Sequence, residues 1–249
     1  MLLALEFPPV SHLLEWPVLF LGLNKVGIIH VVAVLITLTL TYLAVRKSQL
    51  VPRGVQNVME SAVEFIEYGV IAQTIGHEGM VFLPFLFSIF FFVLFSNIFE
   101  VIPFIQFPAN ARMAMPAFLA IIVWLVFNFV GLKRQGPRYF LNVMFPPGVP
   151  TALKPLVALI EFVSTFIVRP FSLAVRLFAN MLAGHLLLVT FAVLSAALWS
   201  KTWLVAIVWA PFVVLIGLTG FEILVAFLQA FIFTILTAVY IGGALHHEH

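Results

Sequence analysis

Residues 169–185 read RPFSLAVRLFANMLAGH, a strongly apolar stretch with a positive charge, Arg176, near its middle. A charged side chain at the centre of a bilayer costs about 2.5–3.5 kcal/mol even on the most permissive scale, so it is rare unless another group pairs with it. An arginine that reaches back to the lipid headgroups would be the ordinary explanation, and Arg169, followed by Pro170, fits that explanation. Apolar sequence continues well beyond Arg176, which we therefore interpret as a functional group within the membrane.

Polar residues near Arg176 fall on two faces of the predicted helix. At about 100° per residue, Asn180 lies one turn beyond Arg176, and Glu161 falls within about 60° of the same stripe. His185, nine residues after Arg176, points to roughly the opposite face. The helix therefore presents polar chemistry in two directions.

The composition is that of an integral membrane protein. Hydrophobic residues make up 63% of the 249 positions, and charged residues make up only 9%. The chain contains no Cys, which excludes disulfides and thiolate chemistry. We predict an all-α integral membrane fold in a single membrane domain, residues 1–249.

Hydrophobic runs predict five membrane helices, at 27–45, 80–101, 113–131, 153–199 and 203–245. The last two runs far exceed the roughly 20 residues of a perpendicular span, so each is either two spans with a hidden turn or one long helix. No cluster of turn residues interrupts either run, which favours two long, strongly tilted helices that form a hairpin. The Pro- and Gly-rich residues 136–150 are predicted to be a connection.

Residues 52–75 differ in character from these spans. Helical spacing places glutamates on one face and a set of apolar residues on the other: Val55, Val58, Met59, Ala62 and Ile66. This pattern predicts an amphipathic helix on the membrane surface, although a helix packed on a soluble partner would give the same pattern.

The distribution of Lys and Arg predicts the orientation. With the N-terminus outside and five crossings, the cytoplasmic segments hold Arg46, Lys47, Arg53, Lys133, Arg134, Arg138 and Lys154, and the outer segments hold Lys25, Arg112 and Lys201. The positive-inside rule favours this arrangement, which leaves the C-terminus in the cytoplasm. We interpret the final HHEH as a solvated tail, not as a metal site.

The last helix carries a polar stripe of its own. Glu222 and Gln229 are seven residues apart, and Tyr240 returns to the same direction. Ionisable groups at membrane depth usually mark ion paths. Arginine cannot relay a proton because its pKa is above about 12, whereas Glu222 and His185 can. A fixed cation beside two titratable groups predicts a proton path interrupted by an electrostatic barrier.

Asn97 and Glu100 lie three residues apart near the end of the second predicted span, on one face. They are either boundary residues or the lining of a water-filled entrance. His30, near the start of the first span, is interpreted as interfacial.

SLAVRLFANMLAGH (172–185) and LQAFIFTILTAVYI (228–241) resemble subunit a of bacterial F-type rotary ATP synthases. The resemblance is strong over about the last 90 residues, and the five-span plan with a surface helix extends it over the whole chain. The Ala- and Phe-rich, Asp-free composition resembles that of actinobacterial, and in particular mycobacterial, proteins.

The resemblance implies roles for particular residues. Arg176 matches the family's essential stator arginine, which faces the carboxylate of a rotating ring of c subunits, and Asn180 matches the asparagine one turn on. His185 and Glu222 match a pair in which the family places Glu or His, and Gln229 matches a glutamine near the arginine. Possible lining of the half-channels is assigned to five further residues: Glu161, Ser172, Tyr240, Asn97 and Glu100.

Two departures from the family pattern stand out. The stretch from Glu161 to Pro170 is about one residue longer than the resemblance leads us to expect, which leaves the alignment of Glu161 open. The loop PANARMAMP (108–116) lacks the acidic residue expected there.

The resemblance implies a proton-translocating stator subunit of the Fo sector in the bacterial plasma membrane, with two offset half-channels separated by Arg176. It implies a c-ring, b-type peripheral stalk subunits and the remaining ATP synthase subunits as partners. No cofactor, metal, nucleic acid or covalent catalysis is expected. The alternatives are a proton-coupled secondary transporter, which usually shows internal repeats, and a membrane-embedded enzyme, which would need a nucleophile–base pair or a metal motif; the sequence shows none of these.

Overall fold

The computed structural model describes residues 24–46, 49–102, 105, 107–145, 149–199 and 209–245, and no β-strand occurs among them. The helices are α1 (Lys25–Arg46), α2 (Val55–Ile66), α3 (Leu83–Ile98), α4 (Ala114–Gln135), α5 (Arg138–Met144), α6 (Lys154–Val163), α7 (Arg169–Leu198) and α8 (Trp209–Leu245). Shorter helical turns extend three of them: Glu67–Ile71 and Ala72–Thr74 follow α2, His77–Phe82 precedes α3, and Thr151–Leu153 precedes α6.

Five helical stretches in the described residues are long and apolar enough to cross a membrane, which confirms the prediction of an all-α fold with five such helices. They are Lys25–Arg46, His77–Ile98, Ala114–Gln135, Lys154–Leu198 and Trp209–Leu245. The residues before 24, the pair 47–48, the segment 200–208 and the tail 246–249 lie outside the described residues. The start of the last predicted span and the HHEH tail fall there.

The stretch from α6 to α7 is one unbroken helix of 45 residues. At about 1.5 Å per residue it is roughly 68 Å long, more than twice the roughly 30 Å hydrocarbon core, a length that fits the predicted strong tilt. A π-helical turn, Ser164–Val168, joins its two parts, and the N–H of Arg169 donates to the carbonyl of Ser164, five residues earlier. Such a turn is how a helix accommodates one extra residue, which matches the added length noted between Glu161 and Pro170.

Helix α8 lies at the centre of the bundle and packs against α3, α4 and α7. Its fully buried Phe233 and Ile241 share one core with Phe127 of α4, Leu86 of α3 and Leu177 of α7. The start of α1 and the end of α3 share a second apolar cluster, which contains Ile29, Ala33 and Phe99, so they lie at one end of the bundle. The other end is marked by an ion pair between the exposed Arg134 and Glu78, 3.5 Å apart.

The residues of the predicted apolar face of 52–75 divide between buried and exposed positions. Met59 and Ile66 are buried, but Val55 and Val58 are exposed, and Gln56 takes a buried position instead. Its side chain donates to Glu60 Oε1 at 2.7 Å and to the backbone carbonyl of Gln49 at 3.0 Å. The helix packs on α1 and α3 through this face, so it belongs to the bundle and does not only rest on a surface.

The predicted connection 136–150 is not wholly irregular, because it contains the seven-residue helix α5. Tyr139 of α5 is 1% exposed and lies against Gly131 of α4, where a Cβ would overlap its ring. Burial raises the pKa of Tyr139, and the nearby positive charge of Arg169 acts in the opposite direction. Glycine at position 131 therefore allows α5 to dock on α4.

Candidate functional site

Two ionisable side chains meet between α7 and the end of α3. His185 Nδ1 lies 3.4 Å from Glu100 Oε1, and the two residues are 6% and 3% exposed. A protonated His185 forms an ion pair with the Glu100 carboxylate. A pair buried this deeply is costly to break from one side only, because the remaining charge would lack compensation.

Glu222 of α8 completes this group. It is 8% exposed, and its carboxylate packs directly against the backbone of Gly184, so closely that a Cβ at position 184 would overlap it. The charges of Glu100 and His185 both act on Glu222. We call Glu100, His185 and Glu222 the acidic–histidine cluster. Sequence reasoning placed Glu222 opposite His185, whereas the ion pair of His185 is with Glu100.

Replacing Gly184 by alanine should displace the Glu222 carboxylate, because the added methyl group takes its position. We expect a fall of about tenfold in ATP-driven proton pumping, since small displacements in a site can cost that much or more. Stability should change little, because a flexible carboxylate end can move aside. The measurement is fluorescence quenching of a pH-sensitive dye in membrane vesicles. Gly220→Ala is the matched control, since a Cβ at Gly220 would meet open space, and equal effects of the two variants would contradict the prediction.

A second buried polar group lies at the same end of the bundle. His30 Nε2 is 3.1 Å from Asn110 Oδ1, and Asn110 Nδ2 donates to Asn97 Oδ1 at 2.8 Å. His30, Asn110 and Asn97 are 6%, 0% and 5% exposed. We call these three residues the His–Asn chain. Sequence reasoning assigned His30 to the interface and did not single out Asn110; the position of a histidine on the buried stripe of α1, with Ala33 and Thr37, is the signal that could have found it.

Arg176 occupies a different environment. It lies on the exposed side of α7 and forms no ion pair or hydrogen bond with any residue that the structure describes. Ser172 and Asn180, one turn before and one turn after it, are partly exposed. Arg176 is nine residues from His185, which is about 13.5 Å along the helix axis. The structure thus does not bring Arg176 into the acidic–histidine cluster.

Gln229 lies on α8, seven residues beyond Glu222 and so about 10.5 Å further along the axis. It is 5% exposed, and its Nε2 has no hydrogen-bond partner among the described residues. A buried amide without partners is unusual and points to a group or water that this chain alone does not supply.

The remaining predicted site residues, Tyr240 and Glu161, lie towards the end of the bundle opposite the acidic–histidine cluster. The guanidinium of Arg169 sits over the ring of Tyr240, 5.3 Å from its centroid. Tyr240 is half-buried and also packs against Phe127. Glu161 is partly exposed on α6, a helix without any buried residue. No group of three His, Cys, Asp or Glu among the described residues is arranged to hold a metal ion.

The helices are long enough to cross a membrane and bury ionisable groups between them. These features place the chain in the class of polytopic helical membrane proteins with polar sites inside the bundle. Comparison with known proteins is more specific. The family model described as ATP synthase A chain matches residues 27–242. ATP synthase subunit a of Frankia alni is 44% identical over 232 residues, covering 92% of this chain and 80% of the relative. The same subunit of Rhodococcus erythropolis is 43% identical over 246 residues, covering 97% and 88%.

The likeness extends beyond actinobacteria, since ATP synthase subunit a of Rhodopseudomonas palustris is 42% identical over 204 residues, covering 81% of this chain and 79% of the relative. The chain belongs to the ATP synthase A chain family. As a bacterial F-type subunit a, it is a multi-pass membrane component of the Fo sector and performs no covalent catalysis itself.

Proposed function

We propose that this chain is the stator of a proton path made of two half-channels that do not meet, with Arg176 as the barrier between them. The observation that carries the proposal is the contrast between two kinds of ionisable group. The acidic–histidine cluster is buried within the bundle, whereas Arg176 is presented outward without a partner among the described residues.

An arginine in the middle of a membrane helix is costly unless another group pairs with it, and we propose that the c-ring supplies this group. The stripe of α7 that continues from Arg176 is apolar and begins with small residues: Ala179, Ala183 and Leu187 are all exposed. Small residues allow the backbone of a neighbouring helix to approach closely. This surface suits a c-ring whose helices each carry one membrane carboxylate and pass Arg176 in turn.

The acidic–histidine cluster and Asn97 lie at the end of the bundle where α1 begins, and we assign them to the outer half-channel. Glu161, Ser172 and Tyr240 lie on the other side of Arg176 along the helices and are assigned to the inner half-channel. Asn180 and Gln229, near the level of Arg176, would orient the passing carboxylate and the water around it. The N-terminus outside and the C-terminus in the cytoplasm of the bacterial plasma membrane complete the proposal.

The physical consequence is rotation. Arg176 stabilises the ionised form of a nearby carboxylate and cannot itself release a proton. A proton that arrives through the outer half-channel therefore cannot step past Arg176 to the inner one. It neutralises a ring carboxylate, travels around with the ring and leaves on the other side. The b-type stalk subunits would hold this chain fixed against the soluble ATPase sector while the ring turns.

Disulfide cross-linking in the assembled complex tests where the ring lies. Because the chain contains no Cys, a cysteine placed at Ala183 is unique in it. We expect Ala183→Cys to cross-link to a cysteine introduced beside the membrane carboxylate of the c subunit. Leu38→Cys, on an exposed position of α1 (60% exposed), is the matched control and should not cross-link. Cross-linking from Leu38 alone, or from neither position, would place the ring elsewhere.

A further inference from the structure

Two members of the His–Asn chain, His30 and Asn110, have no role in the half-channels proposed above, whereas the third member, Asn97, is assigned to the outer half-channel. The His–Asn chain joins α1, the loop before α4 and the end of α3, and apolar side chains enclose it: Ile29, Ala33, Phe99, Phe107 and Ala109. The ring of His30 also stacks on Phe92 of α3, with ring centroids 5.6 Å apart. A buried polar network of this kind is stable only when its donors and acceptors match.

The chain of hydrogen bonds has two possible directions. A carboxamide group has one accepting oxygen and one donating nitrogen, whereas an imidazole nitrogen donates when protonated and accepts when bare. With a proton on Nε2, His30 donates to Asn110 Oδ1 and Asn110 Nδ2 donates to Asn97 Oδ1. With Nε2 bare, both amides have to reverse so that every hydrogen bond is kept. The proton on His30 therefore selects the orientation of the Asn97 amide.

Asn97 is in turn a neighbour of Glu100. The two residues share the end of α3, where the N–H of Glu100 donates to the backbone carbonyl of Asn97 at 3.2 Å. Reversing the Asn97 amide exchanges the positive and negative ends of a dipole next to the acidic–histidine cluster. Because electrostatic interactions are weakly screened in a buried environment, we expect this change to alter the potential at the Glu100 carboxylate, three residues further along the chain.

We propose that His30 is a positioning residue of the outer half-channel, which acts through Asn110 and Asn97 on the proton exchange of Glu100. The inference rests on the proposed function.

Charged and titratable groups of the described residues at the same end of the bundle come from several elements: Lys25 on α1, Glu100 after α3, Arg112 before α4, His185 on α7 and Glu222 on α8. Of these, Lys25 is held by a hydrogen bond to the backbone carbonyl of Ile105 at 3.1 Å and lies over the ring of Phe107.

The test is the rate of ATP synthesis by the whole ATP synthase in inverted vesicles, measured against lumenal pH, because the lumen then corresponds to the outer side. His30→Gln keeps a hydrogen-bonding amide but removes the titratable ring. We expect the midpoint of the pH dependence to shift by about half a pH unit or more. Asn110→Leu interrupts the same chain of hydrogen bonds and should give the same shift, and the double variant should shift the midpoint no further than either single variant.

Thr37→Ala is the matched control, because Thr37 is buried on the same helix but its hydroxyl donates to the carbonyl of Ala33, one turn earlier on that helix. Its pH profile should equal that of the unchanged protein. If His30→Gln fails to assemble, Asn110→Leu decides by the same measurement. An unchanged midpoint in Asn110→Leu or His30→Gln overturns the inference, as do shifts that add in the double variant. If an Arg176 variant instead synthesised ATP at the wild-type rate, the proposed function would be overturned.

Discussion

Replacing Arg176 by alanine should abolish ATP-driven proton pumping in membrane vesicles. In the proposed function, the guanidinium of Arg176 keeps a passing carboxylate of the c-ring ionised. Without it, protons should pass between the half-channels without turning the ring. We expect pumping at or below the detection limit, and a proton leak through assembled Fo. ATP hydrolysis by the attached soluble sector, measured in parallel, reports whether the complex has assembled.

Arg176→Lys is the sharper variant, because lysine is also a basic residue with a long side chain. Lysine offers a compact ammonium in place of a planar fork, and it loses its proton when it is desolvated. We expect it to fail nearly as completely as alanine. Pumping by either variant at the wild-type rate, with the complex assembled, would remove the barrier role from Arg176.

The acidic–histidine cluster provides the second large effect. His185→Ala leaves the Glu100 carboxylate buried without the imidazole that lies 3.4 Å from it, and we expect pumping to slow by about tenfold or more, the equivalent of about 1.4 kcal/mol or more. Glu222→Ala should slow it comparably, because Glu222 is the titratable group that α8 brings to the cluster. Both rates are measured in vesicles that contain equal amounts of assembled complex.

Double-mutant cycles then separate the contacts. His185 and Glu100 are in direct contact, so their losses should be strongly non-additive, with a coupling of about 0.5–3 kcal/mol. The exchange His185→Glu with Glu222→His should recover more activity than either half alone if these two residues share a path. Strictly additive losses for His185 and Glu222 would show that they act in separate places.

The number and type of helices were predictable because each membrane helix needs about 20 apolar residues, and runs of that length are visible in a sequence. The unbroken helix through Lys154–Leu198 followed from the lack of turn residues. It was harder to predict which apolar side chains are buried in the bundle and which face outward than to predict the helices themselves. Val58 is exposed and Met59 is buried, and in a membrane both environments favour apolar residues, so hydrophobicity does not distinguish them.

The partners of the buried polar side chains could not be predicted from the sequence, because they depend on how the helices pack together. His185 was assigned to Glu222 because helical angles give a direction but no distance, and the nearer carboxylate, Glu100, comes from the end of a third helix. His30 was interpreted as interfacial since it lies near the start of α1, yet Asn110, 80 residues away, covers it. Helix α5 was missed because seven residues are too few to show a period, and its docking on Gly131 is a long-range contact.

The π-helical turn Ser164–Val168 divides the 45-residue helix into two parts, α6 and α7. The number of residues in the turn determines the directions of the side chains on α6 relative to those on α7. Helix α7 is held in place by Leu173, Leu177 and Met181, whereas α6 buries no side chain. Loss of one residue from the turn would therefore rotate α6 by about 100° and leave α7 where it is. Glu161 would swing to a new direction while Arg176 kept its own. A change of length at this turn would therefore alter the direction of Glu161 separately from that of Arg176.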